Sequence, residues 1–253
     1  MASLKSLTAA ILCGGLGLRL RRAVPDRPKC LAPIRSKPFL ELQILWLRSQ
    51  GVRHVVLCLG FGSEQVLSFL RQTQHQGIET ESVIEDGLLG TAGALKNAEG
   101  KIIGSPFLAM NGDSMLDVSL EKMVDFHTLK KAVATIAVVD APRTGRYGRI
   151  VTDGADEITG FLEKRGGDDE TAETSASQTR GFINGGLYVF NREILDMIPP
   201  QPHQGVSLEK DIFPRLAGRG LFGFETHGYF LDIGVPEDYV RAQIELAQRF
   251  PTC

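Results

Sequence analysis

The stretch Leu7-Thr8-Ala9-Ala10-Ile11-Leu12-Cys13-Gly14-Gly15-Leu16-Gly17-Leu18-Arg19-Leu20 decides the fold. Its first six residues form a short apolar run, the pattern of a strand buried on both faces. Three glycines follow and let the backbone turn sharply with successive N–H groups exposed. A concave row of amides is an anion site. Arg19, and Lys29 in Pro28-Lys29, add two cations suited to phosphate oxygens. A strand, a glycine turn and nearby basic residues point to a nucleotide phosphate. An ordinary glycine turn with solvated basic residues is the competing reading, and spacing alone leaves both open.

Two phosphate motifs are excluded by spacing. A P-loop needs Gly-Lys-Ser/Thr after four residues, whereas Lys29 stands in Pro28-Lys29-Cys30. A dinucleotide fingerprint starting at Gly15-Leu16-Gly17 would need its third glycine where Leu20 stands. It also needs a helix directly after the turn, and Pro25 and Pro28 forbid a regular one. The turn therefore opens into a loop that carries Arg19 and Lys29 over the site.

A chain of 253 residues suits one α/β domain with a large core. The net charge of −2 gives no reason to expect a nucleic-acid or membrane partner. No run is long and apolar enough for a membrane span, and the start of the chain lacks the pattern of a secretory signal. Cys13, Cys30, Cys58 and Cys253 show no metal-ligand spacing, and a reducing, cytoplasmic setting is the simplest reading.

Along the chain, helices are expected at Pro38 to Gln50, from a Ser63 cap to Arg71, from the Gly87 to Leu95 passage to Ala98, and at Ser119 to Lys131. Strands are expected at Val52 to Leu59, Ile78 to Ile84, Phe107 to Met110 and Ala132 to Val139. This alternation predicts a mostly parallel, mixed central sheet with helices on both faces, a Rossmann-like α/β domain. Ligands of such sheets sit beyond the carboxyl ends of the strands, where the glycine turn and Asn111-Gly112-Asp113 both fall. After Asp140 the pattern changes. Gly148 to Thr152 and Ile158 to Glu163 read as an antiparallel pair, and residues 165–178 as a polar surface loop. Ile183 to Phe190 reads as a strand interrupted by Gly185-Gly186. Helices are expected at Asn191 to Ile198 and Ser207 to Leu216. The last strands are Leu221 to Thr226 and Tyr229 to Ile233. Pro236 opens a final helix with Val240, Ile244 and Ala247 on one face. No partner is evident for His54, His75, His127, His203 or His227.

These residues resemble the sugar-1-phosphate nucleotidyltransferases, also called nucleotide-sugar pyrophosphorylases. The resemblance runs in order through Gly14 to Leu20, Pro28-Lys29, Leu89-Gly90-Thr91-Ala92-Gly93, Asn111-Gly112-Asp113, Glu163-Lys164, Asn184-Gly185-Gly186 and Phe230-Leu231-Asp232-Ile233-Gly234. Cys13 departs from the family's small alanine, and Leu18 from its commoner Ser or Thr. The resemblance implies a single domain over residues 1–253, with 1–140 mainly nucleotide-binding and 141–253 mainly sugar-phosphate-binding. It implies the reaction of NTP with a sugar 1-phosphate to NDP-sugar and pyrophosphate. It implies nucleotide binding by Leu12, Gly14, Gly15, Gly17, Arg19, Gly90, Thr91 and Gly112, and catalysis by Arg19, Lys29 and Asp113. Asp113 and Asp232 would hold Mg²⁺, and Glu163, Lys164 and Asn184 would meet the sugar phosphate.

The chain as a whole is similar to the short family members that use GTP and D-glycero-α-D-manno-heptose 1-phosphate. Mannose 1-phosphate with GTP is the first alternative, and a hexose phosphate with UTP or dTTP the second. An alternative of another class is a non-catalytic nucleotide-sugar-binding regulatory protein. Retention of Arg19, Lys29, Asp113 and Asp232 together favours the enzyme. Homo-oligomerisation is left open.

Overall fold

The computed structural model describes residues 3–73, 77–140, 148–162, 181–200 and 205–249. The opening apolar run forms β1 (Thr8–Cys13). A two-residue pair, β2 (Pro33–Ile34) and β3 (Lys37–Pro38), precedes α1 (Phe39–Ser49), which Pro38 starts. Then come β4 (His54–Leu59), α2 (Ser63–Gln72), β5 (Glu79–Ile84) and α3 (Gly90–Asn97). They are followed by β6 (Phe107–Asn111), β7 (Ser114–Leu116), α4 (Leu120–Lys130) and β8 (Ala134–Asp140). The remainder comprises β9 (Arg149–Thr152), β10 (Ile158–Leu162), β11 (Phe182–Phe190), α5 (Phe213–Leu216), β12 (Leu221–Thr226), β13 (Phe230–Asp232) and α6 (Pro236–Arg249).

Nine of these strands make one sheet. β5, β4, β1 and β6 run side by side and parallel. β11 then lies antiparallel between β6 and β8, and β12 continues parallel to β8. The β9–β10 hairpin joins where Phe182 pairs with Ile150. The predicted mixed, mostly parallel α/β sheet is thus observed.

β1 shows why helices cover both faces. Ala9, Ile11 and Cys13 point into a core shared with α1, α4 and α6, whereas Ala10 points into one shared with α3 and α5. A strand alternates its side chains, so a central strand must be apolar at every position.

Four expectations change. Ser63 is the first residue of α2 and not its cap; Gly62, at φ 71°, holds the cap position. The segment after Asn191 is a 3₁₀ turn, Arg192–Met197. The expected Ser207 to Leu216 helix is a π turn, Leu208–Ile212, followed by α5. Among the described side chains of α6 the buried ones are Asp238, Ala242 and Leu246, while Val240 and Ile244 are 63% and 56% exposed; the side chain of Ala247 lies outside those described. The acid at 238 enters the buried face because Arg241 donates to it at 2.9 Å. The polar loop at 165–178 lies outside the described residues.

Candidate active site

The turn after β1 opens between two adjoining cavities that share Leu12, Gly15 and Asp113. The first, of about 490 Å³, is lined by Gly17, Arg19, Lys29, Gly112 and Gly234 among others. The second, of about 530 Å³, is lined by Gly14, Glu85, Leu88, Gly90, Thr91, Ala94 and Asn111 among others. Every residue expected to bind nucleotide therefore lines one cavity or the other. Two glycines of the site are required, Gly17 of this turn for its conformation and Gly112 of the turn after β6 for space. Gly17 sits at φ 60°, and a β-carbon on Gly112 would stand 2.6 Å from the Leu12 carbonyl.

Asp113 follows β6 at the carboxyl end of the sheet, and a short ladder brings Asp232 to it. β13 pairs antiparallel with β7, setting Asp232 opposite Ser114. Ile233 N–H donates to the Asp113 carbonyl at 2.9 Å and locks that register. The Asp113 carboxylate accepts from Ser114 Oγ at 3.1 Å, and Asp232 accepts from Gly234 N–H at 2.6 Å. Lys29 bridges the two acids. Its Nζ pairs with Asp113 Oδ2 and lies 3.7 Å from Asp232 Oδ1. Burial, with the Asp113 charge second, pushes the Asp232 carboxyl above its usual range, and Lys29 opposes that shift. Two facing carboxylates of this kind can give oxygen ligands to a hard divalent cation whose remaining ligands come from elsewhere. Arg19 is exposed on the rim of the first cavity.

Several positioning and lining residues escaped the sequence reading. Gln43 of α1 is fully buried, and its Nε2 donates to the carbonyls of Asn111 and Ser114, both at 2.9 Å. It clamps the turn that presents Asp113. An apolar helix face with one glutamine carries no local signal of that role. Glu85, at the end of β5, turns its carboxylate onto the bare Cα of Gly14. Burial raises its pKa. The sequence signal was an acid at a strand's carboxyl end before a glycine passage, a place that also suits a turn residue.

Thr91 and Asn184 are partly committed elsewhere. Thr91 Oγ1 donates to Glu209 Oε2 at 2.9 Å and accepts from Leu208 N–H at 2.8 Å. It ties the lip of the second cavity to the segment after residue 205. Asn184 Oδ1 accepts from Gly186 N–H at 2.8 Å, and its Nδ2 donates to Tyr188 Oη at 3.0 Å. It lines neither cavity. Glu163 and Lys164 lie outside the described residues.

Three histidines acquire partners among the described residues, and of these His227 on the surface places Nε2 3.6 Å from Glu225 Oε1. His54 Nδ1 and Nε2 contact Thr8 Oγ1 and Glu81 Oε1 at 3.1 and 3.0 Å, beside the starts of β1 and β4. His127 Nδ1 and Nε2 contact Thr135 Oγ1 and Asn191 Oδ1 at 2.9 and 3.3 Å, and burial lowers its pKa. None of the three lines a cavity described above. No helix among the described residues is long and apolar enough to cross a membrane.

Comparison with known proteins agrees with this geometry. D-glycero-alpha-D-manno-heptose 1-phosphate guanylyltransferase of Aneurinibacillus thermoaerophilus is 35% identical, over 95% of this chain and 98% of its own length. Mannose-1-phosphate guanylyltransferase of Mycobacterium tuberculosis is 32% identical over 95% of this chain, which spans 64% of that relative. The crystal structure of HddC from Yersinia pseudotuberculosis complexed with GMP-PN matches with a TM-score of 0.78 at 30% identity, covering 95% of this chain and 99% of that one. A model of the nucleotidyl transferase family matches residues 8–249, so the chain belongs to that family of enzymes.

Proposed function

We propose that the protein transfers a guanylyl group from GTP to D-glycero-α-D-manno-heptose 1-phosphate, releasing pyrophosphate and GDP-heptose. The observation that carries the guanine assignment is Glu85 in the cavity beside the phosphate turn. A carboxylate accepts through two oxygens. Guanine presents two adjacent donors, N1–H and the 2-amino group, on one edge. Adenine, cytosine, uracil and thymine each pair a donor with acceptors there. Both donors would also favour the charged carboxylate, offsetting the burial that raises its pKa. The sugar assignment rests on the heptose-specific relative, which matches this chain over nearly all of both lengths.

In this reading a phosphate oxygen of the sugar phosphate attacks the α-phosphorus of GTP in line. A new P–O bond forms as the bond to the β-phosphate oxygen breaks, and no proton need move. The chain's task is alignment and charge neutralisation. Amides of Gly14 to Gly17 hold the triphosphate. Arg19 steadies the departing pyrophosphate, and Lys29 contacts the reacting phosphates. Asp113 and Asp232 hold Mg²⁺, which when bound offsets phosphate charge. Residues 1–140 mainly hold the nucleotide and 141–253 the sugar phosphate, with Glu163, Lys164 and Asn184 assigned to the latter.

The second reading is mannose 1-phosphate with GTP, favoured by the mannose-specific relative. The deciding experiment measures kcat/KM for heptose, mannose and glucose 1-phosphates, each with GTP, ATP, UTP, CTP and dTTP. The expected maximum is heptose with GTP. A larger value with UTP or dTTP overturns the guanine assignment. A larger value with mannose 1-phosphate moves the sugar assignment to the second reading.

A further inference from the structure

Lys29 stands where a bound cation would have to work. Its ammonium pairs with Asp113 and reaches to 3.7 Å from Asp232. Its side chain is only 13% exposed. It lies against bare backbone, since a β-carbon on Gly234 would stand 2.9 Å from Nζ. The lysine is carried on a 3₁₀ turn, Lys29–Leu31, whose next two residues are buried, so its base is fixed, and rotation about the bonds of its four-carbon stem is what would carry the ammonium to another partner.

The two aspartates alone make a poor site for a divalent cation. Among the described residues no group of three or more His, Cys, Asp or Glu side chains could hold a metal ion. Mg²⁺ takes six ligands in near-octahedral geometry. In the nucleotide-free protein a divalent cation would have to displace the ammonium and would gain two carboxylates in return. Triphosphate oxygens change both terms. They attract the ammonium away from the acids, and they supply the missing oxygen ligands.

We infer that Lys29 is the built-in counter-ion of the Asp113–Asp232 pair and makes divalent-cation binding conditional on bound nucleotide. This rests on the nucleotidyl-transfer reading above. It adds that one side chain holds two positions, on the acids before nucleotide binds and on the phosphates afterwards. By linkage, nucleotide and cation each tighten the other's binding, and Lys29 carries part of that coupling.

The test uses Mn²⁺ as the probe cation, with free Mn²⁺ read by electron spin resonance and no nucleotide present. Lys29→Met removes the ammonium and keeps most of the stem, so its Mn²⁺ dissociation constant should fall at least about tenfold below that of the unaltered protein, as for loss of a close charge partner. Lys29→Gln is the second variant and should show the same direction. Adding Asp113→Asn to either should abolish the gain, which ties the cation to this site. A gain in affinity cannot come from an unfolded variant. If neither variant binds Mn²⁺ more tightly than the unaltered protein, the inference is overturned. GTP binding, measured by calorimetry with and without Mn²⁺, reads the coupling directly, and that coupling should shrink in Lys29→Met. An unaltered protein that fails to bind GTP contradicts the proposed substrate, while the nucleotide-free Mn²⁺ comparison still judges the counter-ion role of Lys29.

Discussion

Glu85 and the aspartate pair show how much rests on single side chains. Glu85→Gln replaces one acceptor by a donor in the same shape. Its amide would meet guanine's N1–H or 2-amino group with a clashing N–H. We expect kcat/KM for GTP to fall about tenfold to a hundredfold, the scale of one bidentate base contact at roughly 1–3 kcal/mol. Relative use of UTP and dTTP should rise. An unchanged preference among the five nucleotides would remove Glu85 from base reading. Asp113→Asn and Asp232→Asn each remove one negative charge from the pair that Lys29 bridges. Turnover should drop at least about a hundredfold in each, the size of one lost electrostatic group. Near-normal rates in both at low Mg²⁺ would sink the metal assignment.

The elements around the site constrain one another through backbone contact. Where β4 ends, Gly60 passes directly beneath the phosphate turn. A β-carbon there would stand 2.6 Å from the Gly14 carbonyl and 2.9 Å from its Cα. Both neighbours are backbone, so the turn itself must shift. Gly60→Ala should therefore raise KM for GTP with little change in KM for the sugar phosphate; equal changes in both would show a global defect instead. α6 tests the corrected helix face. Leu246 is buried with 1% exposure, whereas Val240 is 63% exposed. Leu246→Ala should cost about 2–5 kcal/mol and Val240→Ala less than about 0.5 kcal/mol, as read by urea unfolding. The reverse ranking would restore the sequence-based face.

At the scale of the whole molecule, His127 links stability to pH. It projects from α4 and is buried against β8, with its ring nitrogens on Thr135 and Asn191. Burial lowers its pKa from 6.5, so the folded state takes up its proton less readily than the unfolded chain. Above about pH 6.5 the ring is neutral in both states and has no effect. As pH falls below that value the unfolded state gains the proton first, and folded stability declines until the folded pKa is passed. His127→Gln should flatten the stability profile in the acid range below about pH 6.5; an unchanged slope would contradict this source of acid sensitivity. The chain's residues by themselves determined the glycine turn after β1 and the run of alternating strands and helices to Asp140, and they marked Arg19, Lys29, Asp113 and Asp232 as candidates for one site. Each of those is a local matter of periodicity, backbone freedom or charge. Only the tertiary structure decided that β11 lies antiparallel between β6 and β8, that the β7–β13 ladder brings Asp232 to Asp113, and that Glu85 faces Gly14. Periodicity reports which face of an element is buried. It does not report which distant segment covers that face, and pairing between remote segments is settled only when the whole sheet closes around one core.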